Sequence, residues 1–344
     1  MPDSTYTTEV QGLDLERLGA FLREVRPGLV AGELRAALIT GGRSNLTYDV
    51  TDGRSSWVVR RPPLGHVLAT AHDMSREHRV ISALEPTDVP VPHTYVLCED
   101  ADVLGAPFYV MEKVDGTPYR YAHQLEPLGA ERTRQICLQM MDTLAALHRV
   151  DPGEVGLDDF GRPAGFLGRQ VKRWKRQLDA SHSRDLAGAD ELHSYLEAHL
   201  PEESAPGVVH GDYRLDNLLV DASDRVTAVL DWEMATIGDP LTDIALLVAY
   251  RRIADTHGGD AVANAPHAPG FLTDEEMLAR YAERSGRDLS AIGFYLALAY
   301  FKYGAILEGI HYRYTQGKTV GAGFEKVGQL VEPTFAAGLA SLKD

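Results

Sequence analysis

The hydrophobic periodicity of the chain changes at Asp115 and Gly116, and this change constrains the fold more than any other feature. Before it, short β-prone runs such as LTYDVTD, SWVVRRP and APFYVMEKV predict strands, with helices over 15–25 and 74–85. After it, helical patterns cover 129–150, 166–181, 190–200, 241–252, 274–285, 289–316 and 324–342. The sequence predicts an α+β protein with two lobes: residues 1–115 form a small antiparallel-sheet lobe and residues 116–344 a larger helical lobe.

Composition and charge argue against several function classes. The formal net charge of −16 disfavours nucleic acid as a partner, because affinity for a phosphate backbone comes from clustered Lys and Arg. The two cysteines, Cys98 and Cys137, have no CxxC or CxxH spacing, which argues against a disulfide framework or zinc knuckle. The longest apolar runs, such as IALLVAY, are too short for a membrane span. We therefore expect a cytoplasmic protein with no membrane partner. Separately, the stretch over 255–270 is rich in Gly, Ala, His and Pro and predicts a surface loop.

One segment interrupts the helical half of the chain, GVVHGDYRLDNLLVDASDRVTAVLDW over 207–232, where short apolar runs alternate with polar turns. Phosphoryl transfer requires a carboxylate that accepts or orients a hydroxyl proton, and oxygen ligands that hold magnesium on the phosphates. Asp212 suits the first task, and Asn217 and Asp231 suit the second. The alternatives are ordinary turn residues, or a metal-dependent hydrolase built on His210, Asp212 and Asp231.

The spacing within this segment favours a kinase. The five-residue step from Asp212 to Asn217 matches the protein-kinase pattern H-R-D-x-x-x-x-N, and Asp231 takes the place of the Asp in D-F-G. Gly211 replaces the Arg of that pattern, and Trp232-Glu233 replace its Phe-Gly. These departures indicate a kinase of small molecules rather than of proteins.

The strings VVHGDYRLDNLLV and AVLDWEMATIGDPLTDIA resemble the signature of the aminoglycoside phosphotransferase family. The resemblance implies a protein-kinase-like fold, ATP or GTP as phosphate donor, and Mg²⁺ held by Asn217 and Asp231. It implies Asp212 as the catalytic carboxylate and Asp243 as a buried support of the catalytic loop. Because Asp212 already occupies the position of the base, His210 is interpreted as a structural histidine that braces this loop.

The resemblance extends to the small lobe, where GGRSNLTYDV is similar to the family's nucleotide-covering turn and would bring Ser44 and Asn45 to the phosphates. Kinases place a strand-borne Lys on the phosphates and pair it with a helix-borne Glu. Here Arg60 stands in that strand, and Glu77 is its expected partner.

The segment YVMEKVDG resembles the kinase hinge. Backbone groups of Glu112 and Val114 would contact the adenine edge, and Met111 would line its pocket. More narrowly, RRPPLG and FGRPAGFLGRQVKRWKRQ are similar to the kinase-like domain fused to some acyl-CoA dehydrogenases and to its free-standing bacterial relatives. That resemblance implies a hydroxyacyl-CoA acceptor.

A cluster of basic residues over 169–176 bears on the identity of the acceptor, for which the sequence leaves several alternatives. Lys172, Arg173 and Arg176 either form a solvated helix face or, with Trp174, receive an anionic acceptor. The negative charge of the whole chain instead suits a cationic antibiotic as acceptor. Arg60 in the usual Lys position would also permit a nucleotide-binding pseudokinase that regulates a partner.

Overall fold

A computed structural model describes residues 6–39, 45–64, 72–181, 183–257, 263–319 and 324–343. The chain divides into two compact units. The first unit comprises Met1–Gly116 and Thr227–Glu233, and the second comprises Thr117–Val226 and Met234–Asp344. Asp231 therefore belongs to the first unit although it follows most of the 207–232 segment in sequence.

The first unit is built on a five-stranded antiparallel sheet with strand order β1-β2-β3-β5-β4. Its elements are α1 (Leu15–Val25), β1 (Arg35–Leu38), β2 (Leu46–Thr51), β3 (Ser56–Arg61), α2 (Met74–Leu84), β4 (Thr94–Cys98), α3 (Ala101–Leu104) and β5 (Phe108–Glu112). The register places Arg60 of β3 opposite Tyr109 of β5. Helix α2 contacts β4 and β5.

Local sequence explains why α2 forms where it does. The side chain of Asp73 accepts a hydrogen bond from the backbone N–H of Arg76 and so satisfies one of the free donors at the start of the helix. Apolar residues at helical spacing, Val80, Ile81 and Leu84, are buried. Glu77 is buried on the same helix, so its carboxylate requires partners in the interior.

The second unit is mainly helical. Its elements are α4 (Ala122–Leu125), α5 (Ala130–Arg149), α6 (Phe166–Ala180), α7 (Ala189–Ala198), β6 (Gly207–Val209), β7 (Leu218–Val220), β9 (Thr236–Gly238), α8 (Leu241–His257), α9 (Asp274–Ser285), α10 (Ile292–Thr315) and α11 (Val331–Ala340). Strand β8 (Val226–Val229) begins at the last residue before the return to the first unit. Helix α10 contacts α6, α7, α8 and α11 and is therefore the central helix of this unit. No helix in the described part of the chain is long and apolar enough to cross a membrane.

Three sequence-based expectations are corrected by these elements. Strand signal was predicted to end at 232, but β9 pairs antiparallel with β6, and three residues are too few to show an alternating pattern. The last helix begins at Val331 rather than at 324, since Pro333 is tolerated in the first turn of a helix but not in its interior. The predicted surface loop at 255–270 starts inside α8 and contains buried Ala265 and Ala268.

Candidate active site

The loop between β6 and β7, residues 210–217, is anchored on a buried carboxylate. Asp243, at the start of α8, accepts hydrogen bonds from the backbone N–H groups of His210 at 2.6 Å and Gly211 at 2.8 Å. Gly211 has a φ of +85°, and a Cβ atom there would lie 2.8 Å from the Cβ of Met234. Only glycine accommodates both the left-handed backbone and this close approach.

A buried polar chain continues behind Asp243. His148 Nε2 lies 3.2 Å from Asp243 Oδ2, and His148 Nδ1 lies 2.8 Å from the hydroxyl of Tyr281. A carboxylate can only accept, so Nε2 carries the proton and Nδ1 accepts from Tyr281. Burial lowers the pKa of His148, and the imidazole is therefore neutral. Burial acts to raise the pKa of Asp243, but the hydrogen bonds from His148 and His210 outweigh it and hold that pKa below its usual value.

The predicted catalytic residue, Asp212, lies on this loop and remains accessible, with a side chain that is 29% exposed. Its Oδ1 accepts the hydroxyl of Tyr250 at 3.2 Å and lies 3.5 Å from Arg214 Nε. Asn217 donates its side-chain amide to the Asp212 carbonyl at 2.8 Å. His210 is fully buried, and its Nδ1 accepts the backbone N–H of Asp212 at 3.2 Å. Both contacts hold the loop in one conformation around the carboxylate.

Three residues at this loop were not identified from the sequence: Arg214, Tyr250 and Lys302. Arg214 also lies 3.0 Å from Asp216 and 5.2 Å from the Tyr250 ring. Tyr250 stands seven residues after Asp243, two helical turns along α8, and this spacing could have indicated that they share a face. Lys302, a lone cation in the apolar run LALAYFKYGAIL, was a similar signal.

In the first unit, the predicted partners Arg60 and Glu77 lie side by side. Arg60 Nε is 2.9 Å from Glu77 Oε2, and Arg60 Nη2 is 2.7 Å from Asp231 Oδ1. Glu77 also accepts hydrogen bonds from Asn45 Nδ2 and from the Tyr109 hydroxyl, each at 2.9 Å. The guanidinium that is predicted to bind phosphate therefore contacts both its expected partner, Glu77, and a predicted metal ligand, Asp231.

The charges of this cluster are set by burial and by mutual contact. Burial raises the pKa of Glu77 to about 7, against the opposing charge of Arg60. Burial acts to lower the pKa of Arg60, but Tyr109, Glu77 and Asp231 together raise it above its usual value. The guanidinium therefore remains charged, whereas the Glu77 carboxyl titrates near neutral pH.

The remaining nucleotide-site predictions fall in different surroundings. Met111 is buried in β5, and Val114 is half-buried. The backbone N–H of Glu112 donates to the His93 carbonyl at 2.7 Å, so this group is not available to a nucleotide. Ser44 lies outside the described residues.

The predicted acceptor residues of α6 do not share one environment. Lys172, Arg173 and Arg176 are all exposed, and Arg173 in addition lines a cavity with Trp174 and Lys302. Lys175, also in the basic cluster, pairs with Asp179 at 2.5 Å. Of the three predicted residues, Arg173 is the one that lies at this cavity.

Known proteins resemble the chain along most of its length. The sequence model of the phosphotransferase enzyme family matches residues 35–284. Acyl-CoA dehydrogenase family member 11 of Gallus gallus is 33% identical over 98% of this chain and 44% of its own length. The Mus musculus protein of the same name is 34% identical over 95% of this chain and 43% of its own length. The chain thus spans less than half the length of these curated relatives.

Solved structures also resemble the chain over nearly its whole length. A candidate aminoglycoside phosphotransferase from Ralstonia eutropha JMP134 is 33% identical, with a TM-score of 0.83 and 98% coverage of both chains. Choline kinase from Cryptosporidium parvum is 13% identical, with a TM-score of 0.62 and 95% coverage of both chains, a likeness of fold alone. The predicted protein-kinase-like α+β fold and the enzyme class, a phosphotransferase with a hydroxyl acceptor, are confirmed. The chain belongs to the phosphotransferase enzyme family.

Proposed function

We propose that this chain transfers the γ-phosphate of ATP or GTP to a hydroxyl group of an acyl-type metabolite such as a hydroxyacyl-CoA. The observation that carries the proposal is the setting of Asp212. Its carboxylate is accessible, contacts Tyr250 and Arg214, and belongs to a loop anchored on the buried Asp243. A carboxylate held in this way can take the proton of an attacking hydroxyl.

In the proposed reaction the acceptor oxygen attacks the γ-phosphorus, and the bond to the β–γ bridging oxygen breaks. The nucleoside diphosphate leaves with that electron pair, and the hydroxyl proton passes to Asp212. Tyr250 and Arg214 both approach Oδ1 of Asp212. Oδ2, which has one longer contact from Asn217 Nδ2 at 3.4 Å, is the oxygen assigned to the acceptor hydroxyl.

The residues predicted to hold Mg²⁺ have oxygen atoms to offer. Asn217 uses its amide nitrogen in the loop, which leaves the amide oxygen as a ligand. Asp231 uses Oδ1 in its contact with Arg60, which leaves Oδ2. Among the described residues no three His, Cys, Asp or Glu side chains converge on a metal site. This donor set suits Mg²⁺, which proteins commonly bind through one or two side chains plus substrate phosphates.

The nucleotide itself is assigned to the first unit. Arg60, with Ser44, would hold phosphate oxygens, and Glu77 would orient the guanidinium. Asn45 donates its side-chain amide to Glu77 and would support that carboxyl group rather than a phosphate. Met111, Val114 and the carbonyl group of Glu112 would contact the base. A guanidinium donates through a planar arrangement of N–H groups and can serve here in place of lysine.

Two observations bear on the acceptor. The relatives named acyl-CoA dehydrogenase family member 11 favour an acyl-type molecule. Aminoglycoside phosphotransferase APH(4)-Ia, 18% identical to this chain, has been solved in complex with hygromycin B, and that likeness together with the net charge of −16 favours an antibiotic. We favour the acyl-type acceptor, since Arg173 and Lys302 put positive charge beside the catalytic loop. A pseudokinase is the remaining alternative, and the accessible Asp212 argues against it.

A nucleotide-turnover screen tests the proposal. The protein is incubated with ATP or GTP, Mg²⁺ and one of four acceptor classes: hydroxyacyl-CoAs, aminoglycosides, macrolides or choline-type amines. Mass spectrometry then tests each acceptor for the mass of an added phosphoryl group. Asp212→Ala should abolish transfer and leave nucleotide binding intact, whereas Asp221→Ala, which removes a carboxylate paired with Arg225, should leave both unchanged. Equal turnover by Asp212→Ala, or an antibiotic as the best acceptor, would overturn the proposal.

A further inference from the structure

A small cavity lies beside the catalytic loop in the second unit. Its volume is about 70 Å³, and the lining side chains that matter here are Arg173, Trp174 and Lys302, next to Gly211 of the loop. This space is large enough for a few water molecules or for a group of similar size, such as a carbonyl or carboxylate group.

Lys302 brings a cation into this cavity from the apolar helix α10. Its ammonium group donates to the Gly211 carbonyl at 3.1 Å and lies 5.5 Å from the Trp174 ring centroid. An ammonium group has three donors, and the Gly211 carbonyl takes one of them. Throughout the described ranges, no carboxylate lies within ion-pair distance of Lys302. Donors therefore remain for a ligand oxygen.

A second cation shares the same aromatic ring. The guanidinium carbon of Arg173 lies 5.2 Å from the Trp174 ring. Both cations line this cavity, so an oxygen atom bound there faces positive charge from each of them. A cationic amine at this position would add a third positive charge. The cavity therefore selects for an oxygen-bearing group and against an amine.

The cavity is also electrostatically coupled to the catalytic carboxylate. Burial lowers the pKa of Lys302, while the negative charges of Asp212 and Asp243 oppose this shift. Lys302 thus lies within the field of Asp212, the residue assigned to the acceptor hydroxyl. Because Lys302 contacts the carbonyl of Gly211, the residue directly before Asp212, an acceptor whose hydroxyl reaches Asp212 would bring its neighbouring oxygen toward the ammonium group.

We propose that Lys302, with Arg173 and Trp174, binds the carbonyl-type oxygen of the acceptor and determines specificity for hydroxyacyl molecules. The inference rests on the proposed function. Thioesters and free carboxylates share this oxygen, and the experiment distinguishes them. Lys302 acts through binding of the acceptor, in addition to its hydrogen bond to the loop.

The test compares three acceptors that differ at the carbonyl group: β-hydroxybutyryl-CoA, β-hydroxybutyrate, and S-(3-hydroxybutyl)-CoA, a thioether in which CH2 replaces the carbonyl group. Lys302→Met keeps an aliphatic chain against Trp174 but removes the donors. It should raise KM about tenfold for the acceptor that carries the oxygen, with little change in the KM of ATP, because a hydrogen bond to a charged group is lost. The thioether should have the same KM with both proteins, and any loss of kcat that follows from the broken hydrogen bond to Gly211 should be equal for all three acceptors.

The matched control is Lys172→Met, which removes the same charge from an exposed position of α6 outside the cavity lining. Lys302→Arg keeps hydrogen-bond donors and should recover part of the affinity for the acceptor that carries the oxygen. This variant also keeps the inference testable if Lys302→Met folds poorly. An equal loss of kcat for all three acceptors with no change in any KM would overturn the inference and leave Lys302 as a brace of the Gly211 carbonyl. The increase in KM for β-hydroxybutyryl-CoA is compared with the increase for β-hydroxybutyrate. The larger increase shows whether the bound oxygen belongs to a thioester or to a carboxylate.

Calorimetric binding without nucleotide separates this inference from the proposed function. If the native protein binds β-hydroxybutyryl-CoA in a Lys302-dependent manner but transfers no phosphate, the proposed function fails and the subsite stands. If transfer occurs and Lys302→Met leaves both KM and binding unchanged, the subsite fails alone. If the native protein neither binds nor phosphorylates any of these acceptors, both are overturned.

Discussion

Asp243 accepts a hydrogen bond from the backbone N–H of Gly211 at 2.8 Å, although 32 residues separate them in sequence. The Gly211 carbonyl is held in turn by Lys302 at 3.1 Å. Both polar groups of one residue are thereby fixed directly before Asp212. The backbone directly before the Asp212 carboxylate is therefore held by side chains from two helices, α8 and α10.

Gly211→Ala should lower phosphate transfer strongly and destabilise the protein by about 1 kcal/mol or more, because the new Cβ would meet Met234 and the φ is positive. Gly129→Ala is the control. Gly129 has a φ of +81°, but no atom lies within 4 Å of its virtual Cβ, so this variant reports backbone strain alone. Urea denaturation and kcat measure the difference, and equal effects of both variants would contradict a steric role for Met234.

Arg60 and Glu77 should act as a unit in nucleotide binding. A double-mutant cycle with Arg60→Ala and Glu77→Ala is expected to show a coupling on the order of 1 kcal/mol or more, since the two side chains lie 2.9 Å apart. Lys113 and Asp49, 2.6 Å apart in the same unit, supply a matched cycle that should show no coupling in ATP affinity. Strict additivity of the Arg60 and Glu77 effects would refute the pairing as a binding device.

The catalytic loop could be predicted from the sequence because its polar residues are local. Asp212 and Asn217 lie five residues apart, and this spacing together with the flanking residues led to the prediction of a kinase-like loop. Tyr250 and Lys302 contact the same loop from 38 and 91 residues away. Such contacts arise from the packing of α8 and α10, and no periodicity specifies which side chain of an apolar helix meets a distant loop.

The basic helix shows the same limit in another form. The sequence over 169–176 shows a concentration of positively charged residues, but it does not show in which direction each side chain points. Successive residues of an α-helix point about 100° apart, so Arg173 reaches the cavity whereas Lys172, which is also exposed, does not. The predicted helix boundary at 324 was wrong for a reason the sequence contained, the position of Pro333.

Tyr250→Phe should lower kcat about tenfold, because the Tyr250 hydroxyl donates to Asp212 at 3.2 Å and a hydrogen bond to a charged group contributes about 1.5 kcal/mol or more. Tyr303→Phe is the control, since its ring lies 5.9 Å from that of Tyr250 and the substitution again removes one hydroxyl. The comparison uses steady-state kinetics with saturating ATP. A normal kcat for Tyr250→Phe would show that Asp212 is oriented without this contact.

His148 should make the protein less stable as the pH falls below about 6.5. Burial lowers the pKa of His148 in the folded state, whereas an unfolded histidine titrates at about 6.5. Below that value the unfolded chain binds a proton that the folded chain does not, so acid shifts the equilibrium toward unfolding. The loss approaches about 1.4 kcal/mol per pH unit for one group.

Urea denaturation between about pH 7.5 and about pH 5.5 measures this dependence. His148→Gln removes the titrating ring while keeping a donor for Asp243, so its stability should fall less steeply over the same interval. His199→Gln, at an exposed position, should retain the native slope. If His148→Gln and the native protein lost stability in parallel, the buried imidazole would not be the group that binds the proton on unfolding, and the acid sensitivity would have another source.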